Sequence, residues 1–266
     1  MKTVVIVGTG LLGSSFGLAV KKTQRYGRIL GVSSPAVVEK AIEIGAIDEA
    51  LSLEDAIPQA DLVLLAQPVL RILTTIEKMD ALIKPGTIVT DVGSTKSTIC
   101  AAAAKSIHRG HFVGGHPMAG REVRGPDGAS ADLFIGRPWV LTEALPELIE
   151  LVEALGGRPV VLGPEEHDRL VAWSSHLPQL LSTTLAALLE GRGVDPVAGP
   201  GVLDMTRLAL SSHELWEDIL ATNAENVDGA LAQVIAELER TRAAIRSGEV
   251  RALFARGNQG AMALRH

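Results

Sequence analysis

The stretch Val4-Val5-Ile6-Val7-Gly8-Thr9-Gly10-Leu11-Leu12-Gly13-Ser14 leaves a chain few ways to fold. The apolar run, rich in β-branched residues, predicts a strand buried on both faces. The glycines after it stand at the G-x-G-x-x-G spacing that turns a strand into a helix. In such a turn the first glycine makes the tight bend, the second admits a pyrophosphate to the backbone, and the third lets helix and strand pack closely. The helix beyond presents unpaired N–H groups and the positive end of its dipole to the phosphates. Gly8, Gly10, Leu11, Leu12 and Gly13 are therefore candidate dinucleotide ligands.

The strand-helix rhythm continues. Residues 29–32, 61–66, 87–92, 111–115, 139–142 and 159–162 read as further strands, and 146–155 as a helix. Ser34 and Pro35 start a helix that Gly45 stops. Near Gly163-Pro164 the rhythm changes. Leu170, Trp173, Leu177, Leu180, Leu181, Leu185 and Leu188 recur at helical spacing, with Pro178 expected to bend that helix. Residues 191–201, rich in glycine and proline, read as a loop, and helical patterns return over 206–220, 226–246 and 250–256. The expectation is an α/β Rossmann-type doubly wound parallel sheet over residues 1–164, then a second, all-α helical domain over 165–266. That second part carries more apolar surface than its own core can use, which predicts a helical homodimer interface.

Bulk properties narrow the function. A net charge of −6 argues against a nucleic-acid binder. No apolar run reaches the length of a membrane span, and the chain enters a strand without a secretory leader pattern. Cys100 is the only cysteine, which suits a reducing cytoplasm, and no His/Cys cluster has metal-ligand spacing.

Ligands of open α/β sheets bind beyond the carboxyl ends of the strands. Gln67-Pro68, the segment Asp91-Val92-Gly93-Ser94-Thr95-Lys96 and the segment Gly114-Gly115-His116-Pro117-Met118-Ala119-Gly120 fall there. Gln67, Pro68 and Gly93 join the cofactor candidates. His116 is the candidate base for taking a hydroxyl proton as hydride leaves, since neutral imidazole does so near pH 7. Ser94 can assist it or cap the following helix, while Lys96 reads as an exposed first-turn residue. In the helical part, His176 and Gln179 flank Pro178, His213 opens a later helix, and Arg207 offers a guanidinium fork for a carboxylate.

At these residues the chain resembles the prephenate/arogenate dehydrogenase family of tyrosine biosynthesis. The resemblance takes in the 90–96 and 114–120 segments with Glu122, Gly125, Ala131 and Leu133-Phe134. It continues through Ser175-His176-Leu177-Pro178, Thr206-Arg207-Leu208-Ala209, Trp216 and Asp218-Ile219. It implies an oxidative decarboxylation: hydride passes from the hydroxyl-bearing ring carbon to nicotinamide, and the ring carboxylate leaves as carbon dioxide. It further implies His116 as proton acceptor with Ser94 beside it, Arg207 on the substrate carboxylate, and His176, Gln179 and His213 lining the substrate side. Some members have a histidine where this chain has Gln179. Ser33, followed by Ser34, stands where NAD-binding relatives place an acidic residue, which favours NADP over NAD. Two rival readings exist. A β-hydroxyacid dehydrogenase would need a helical lysine, but Lys105 is the last lysine in the chain. A non-catalytic dinucleotide sensor or scaffold would have no use for a base aimed at a hydroxyl.

Overall fold

The computed structural model describes residues 2–121, 123 and 125–265, so Glu122 lies outside the described residues. Strand β1 (Thr3–Val7) forms because its apolar run has no face to offer to water: Val4 and Ile6 enter one core layer, Val5 and Val7 the other. There follow α1 (Leu11–Thr23), β2 (Arg28–Val32), α2 (Pro35–Glu43), the short β3 (Glu49–Ala50) and α3 (Leu53–Ala56). Next come β4 (Leu62–Leu65), α4 (Val69–Met79), β5 (Ile88–Asp91), α5 (Ser97–Ser106) and β6 (His111–Val113). These six strands lie parallel in the order β3-β2-β1-β4-β5-β6. The order reverses between β1 and β4, so a crevice opens at their carboxyl ends. Strand β3, too short to carry a hydrophobic period, was not expected from the sequence.

The strand expected over 111–115 divides at Gly114, where the chain leaves the parallel sheet. Gly114 donates its N–H to Thr142 Oγ1 at 2.8 Å and accepts the Thr142 N–H at 2.9 Å. The chain continues as β7 (Gly115–Pro117), antiparallel to β8 (Pro138–Leu141), which α6 (Pro146–Ala154) joins to the parallel β9 (Arg158–Val161). The segments expected over 139–142 and 159–162 therefore build a second, three-stranded sheet and do not extend the first. Local backbone contacts cause the switch. A Cβ on Gly115 would lie 2.5 Å from the carbonyl oxygen of Asp91, so only glycine lets β7 press against the end of β5.

From Pro164 on, every regular element among the described residues is helical: α7 (Pro164–Val171), a π turn (Ala172–His176), α8 (Leu177–Leu189), α9 (Pro200–Thr206), α10 (His213–Thr222), α11 (Ala224–Ser247) and α12 (Arg251–Ala263), with short 3-10 turns between them. Pro178 is the second residue of α8, directly after the π turn, in a run that is helical without a break from Pro164 to Leu189. The single helix expected over 206–220 is instead two, divided by a 3-10 turn at Arg207–Leu210. Side chains of α8 hold that turn: Ser182 Oγ accepts the Ala209 N–H at 3.2 Å, and Gln179 Nε2 donates to the Leu208 carbonyl at 2.8 Å.

The apolar stripe expected along the first helix also turns out differently. Leu170, Trp173 and Leu188 are exposed, while His167, Asp168, Val171 and Ala172 are buried. Leu203, Leu210, Ile235, Leu238 and Phe254 are exposed as well. No helix among the described residues is long and apolar enough to cross a membrane.

Gly115→Ala, which overpacks the switch between the sheets, should cost about 1–3 kcal/mol. The check is urea unfolding: an unchanged midpoint would mean the backbones have room to move apart.

Candidate active site

The glycine turn shows what each glycine is for. Gly8 has φ +98°, and a Cβ there would lie 2.5 Å from the Ala66 carbonyl oxygen. A Cβ on Gly13 would lie 2.0 Å from the Gly8 carbonyl oxygen. The protein's own packing demands glycine at both positions. Gly10 is different: nothing lies within 4 Å of a Cβ built there. It caps α1 with no side-chain hydrogen bond, and the first turn of that helix holds no acidic residue. The first N–H groups of α1 are thus capped by no side chain, beside an open space at Gly10, which fits a pyrophosphate. Leu11 and Leu12, half-buried, begin the helix.

The other cofactor candidates ring the same crevice. Ser33 and Ser34 are exposed just beyond β2. Lys40, the nearest downstream cation in the chain, meets Glu43 at 2.9 Å and Asp127 at 3.6 Å. Gln67 follows β4 and accepts from Thr75 Oγ1 at 2.8 Å, and Pro68 caps α4. Gly93 donates its N–H to Asp91 Oδ2 at 2.7 Å.

Lys96 corrects the expectation of an exposed residue. It is fully buried, its ammonium paired with the Asp91 carboxylate and donating to the Gly115 carbonyl at 2.7 Å. Asp91 Oδ1 also accepts the Gly115 N–H at 3.0 Å. The pair therefore fastens the end of β5 to the start of β7, which carries His116.

His116 pairs with Val140 across β7 and β8 and is half-buried. Its Nδ1 lies 2.8 Å from Nε2 of His167, whose own Nδ1 lies 2.8 Å from Asp168 Oδ1. Burial, then the neighbouring His167, Lys96 and His176, hold the His116 pKa well below that of an ordinary histidine, so it is neutral near pH 7. Burial works to raise the Asp168 pKa. The hydrogen bonds from His167 and from the Ser97 and Lys96 backbone outweigh it, and the carboxyl stays below its usual range.

Ser94, half-buried in the turn after β5, has no hydrogen-bond partner among the described residues. It does not cap α5, which begins only at Ser97. Asp168 does that from the helical part, Oδ1 accepting the Lys96 N–H at 2.7 Å and Oδ2 the Ser97 N–H at 2.9 Å. Asp218 of α10 treats α4 in the same way, accepting the Leu70 N–H at 3.1 Å. Two carboxylates from the helices thus meet two helix N-termini of the sheet.

His176, buried in the π turn, accepts at Nδ1 from Asn223 Nδ2 at 3.1 Å. The same amide donates to the Asp168 carbonyl at 2.8 Å, which connects His176 to the His116 chain. Burial holds the His176 pKa down to about 4, so it is a neutral imidazole with hydrogen on Nε2. Its ring meets Trp216 edge-on at 5.8 Å.

Gln179 is buried one turn on from His176 and spends its amide N–H groups on Thr183 and Leu208. It braces the turn that presents Arg207. Arg207 and His213 are both exposed, the latter at the start of α10.

The structure thus brings His116 and His176 into one bonded network and ties the Arg207 turn to its edge. His167, Asp168 and Asn223 were not singled out in the sequence. The sequence signal for the first two is slight: in a charged segment, Val171 alone marks as apolar the buried face of α7 that they share. Among the described residues, no cluster of three or more His, Cys, Asp or Glu side chains could hold a metal ion.

Comparison with known proteins adds to this geometry. Residues 16–161 match the family described as prephenate dehydrogenase, nucleotide-binding domain, and residues 163–256 match prephenate dehydrogenase, dimerization domain. The chain belongs to the prephenate dehydrogenase family. It is 36% identical over 235 residues to the prephenate dehydrogenase of Lactococcus lactis, an alignment covering 85% of this chain and 66% of that protein, whose length it spans by about two thirds. The crystal structure of prephenate dehydrogenase from A. aeolicus, in complex with hydroxyphenyl propionate and NAD+, superposes with a TM-score of 0.91 at 28% identity, covering 100% of this chain and 98% of that one. Synechocystis arogenate dehydrogenase superposes at 0.83 with 30% identity, covering 99% and 98%. A nicotinamide dinucleotide cofactor accords with these relatives and with the open N-terminus of α1.

The Lys96–Asp91 pair ties down the strand that carries His116. Lys96→Met would strand a buried carboxylate, at a cost of about 3–5 kcal/mol. Guanidinium unfolding checks this, and a loss within about 0.5 kcal/mol would mean the pair is replaceable.

Proposed function

We propose that this chain catalyses the NAD(P)-dependent oxidative decarboxylation of prephenate or arogenate in tyrosine biosynthesis. One observation carries the reading. A neutral imidazole, His116, stands on a strand fixed at the mouth of the dinucleotide crevice, in a hydrogen-bond chain reaching the helical part. Residues 1–164 hold the dinucleotide, and residues 165–266 supply the substrate face and the contact of a homodimer. The exposed Leu188, Leu210, Leu238 and Phe254 support that contact.

A bound nicotinamide supplies the acceptor for hydride from the hydroxyl-bearing ring carbon. His116 takes the hydroxyl proton at Nε2 as the carbonyl forms, and Ser94, with its hydroxyl uncommitted among the described residues, hydrogen-bonds the same oxygen. The ring carboxylate departs as carbon dioxide, its bonding pair closing the aromatic ring. Arg207 clamps the substrate's side-chain carboxylate bidentately, and His176, with hydrogen on Nε2, donates to the substrate. Gln179 holds the Arg207 turn in place, and His213 borders it.

Serines in place of a carboxylate after β2 support acceptance of NADP. No repulsion meets a 2′-phosphate there, and the hydroxyls can donate to it. Lys40, already engaged by Glu43 and Asp127, limits the gain. Steady-state assays of prephenate and arogenate, each with NAD and NADP, test the whole reading through absorbance of the reduced nicotinamide. NADP is expected to be the better cofactor, and Ser33→Asp should shift kcat/KM toward NAD by about tenfold or more. No turnover in any combination would reject the proposed function.

His116→Ala should lower kcat by about a hundred- to ten-thousand-fold with dinucleotide affinity little changed. Arg207→Ala should chiefly raise the substrate KM, and an unaltered KM would remove the clamp. Because only neutral His116 accepts the proton and its pKa is depressed, the acid limb of kcat/KM should lie below pH 6.5, the ordinary histidine value.

A further inference from the structure

The hydrogens in the chain from Asp168 to His116 can be assigned without seeing them. An ionised carboxylate only accepts, and Asp168 receives two backbone N–H groups together with His167 Nδ1. His167 therefore carries a hydrogen on Nδ1, which in the neutral imidazole leaves a lone pair on Nε2. That lone pair faces His116 Nδ1 at 2.8 Å, so the His116 hydrogen is on Nδ1 and its Nε2 is the free lone pair. His167 is fully buried and Asp168 is 2% exposed, so water does not compete for these bonds.

We propose that His167 and Asp168 are positioning residues that hold His116 in the tautomer with Nε2 unprotonated and supply the counter-charge when Nε2 takes a proton. This deepens the proposed function, since it rests on His116 being the proton acceptor.

The groups facing His116 support the charge assignment. From the segment after β5 comes Lys96, whose charge Asp91 matches. From the π turn comes His176, neutral near pH 7. From α7 come His167 and Asp168. Asp168 is the carboxylate left to balance an imidazolium at His116. When the substrate proton arrives at Nε2, the Nδ1 hydrogen stays in its bond to His167 Nε2, so one proton enters and none leaves. His116 belongs to the sheet part and its two supports to the helical part. The base is therefore set in its working tautomer only when the two parts are docked.

Nitrogen-15 NMR of histidine-labelled protein reads the tautomer directly and needs no substrate. In the wild type, His116 is expected with hydrogen on Nδ1. In His167→Ala it should move toward hydrogen on Nε2, with kcat lowered about ten- to a hundredfold and both KM values little changed. His167→Gln, whose amide oxygen can accept from His116 Nδ1, should restore the tautomer and most of the rate. Asp168→Asn keeps an oxygen for the α5 N-terminus but removes the charge, so the acid limb of kcat should move about one pH unit lower. If His167→Ala does not fold, His167→Phe, which keeps a ring there but cannot accept a hydrogen bond, takes its place. His116 keeping its Nδ1 hydrogen in the Ala or Phe variant would overturn the proposal, whether or not the rate falls. Failure of the wild type on both substrates would reject the proposed reaction and leave the tautomer result standing.

Discussion

The Asp168 carboxylate is the contact on which the arrangement turns. One oxygen closes the N-terminus of α5 and orients His167, while the other takes a second backbone N–H of the same helix. These are hydrogen bonds to a charged acceptor, shielded from water and aligned with the helix dipole, so each is stronger than a neutral equivalent at a surface. The carboxylate belongs to α7, the helix it caps belongs to the sheet, and the chain of imidazoles it supports ends at His116. Packing of the two parts and the electrostatics of the site therefore share one set of atoms.

Other contacts repeat the theme. Asp218 meets the first turn of α4, Thr95 and Thr222 share a hydrogen bond of 2.8 Å, and Asn223 joins the Asp168 carbonyl to His176. The helical part thus grips the carboxyl ends of the central strands through directional polar bonds. Many of its large apolar residues are left exposed in the single chain. A family match to a dimerization domain accords with this exposed apolar surface. The open N-terminus of α1, at the other side of the crevice, needs no such cap, and its donors remain for a phosphate ligand.

Much of this was legible along the chain. Strand positions in the first part follow from runs that must be buried on both faces, and the change to helix near Gly163-Pro164 follows from the change of hydrophobic period. The glycine turn could be interpreted because its spacing has only a few geometric uses. Lys96 shows where such reasoning fails. A lysine in a first helical turn is ordinarily solvated, and only the approach of β7 to β5 encloses it beside Asp91. His167 and Asp168 fail for the same reason: within a charged segment they look like a wetted helix face, and the surface that covers them comes from residues far away in sequence. The division of the 111–115 strand was hidden because a glycine pair in a strand pattern does not say which sheet the chain joins next.

What the sequence alone determined is the set of local preferences: a strand-turn-helix that must expose backbone donors, alternating strands and helices, a helical second part with surplus apolar residues, and the presence of His116 and Arg207. Tertiary structure alone decided which polar groups lose their water. That decision made Lys96 a buried tie, put His116 on a second sheet and placed a carboxylate of the helical part behind it. Desolvation and hydrogen-bond direction depend on atoms brought together from distant segments, and no local pattern encodes them.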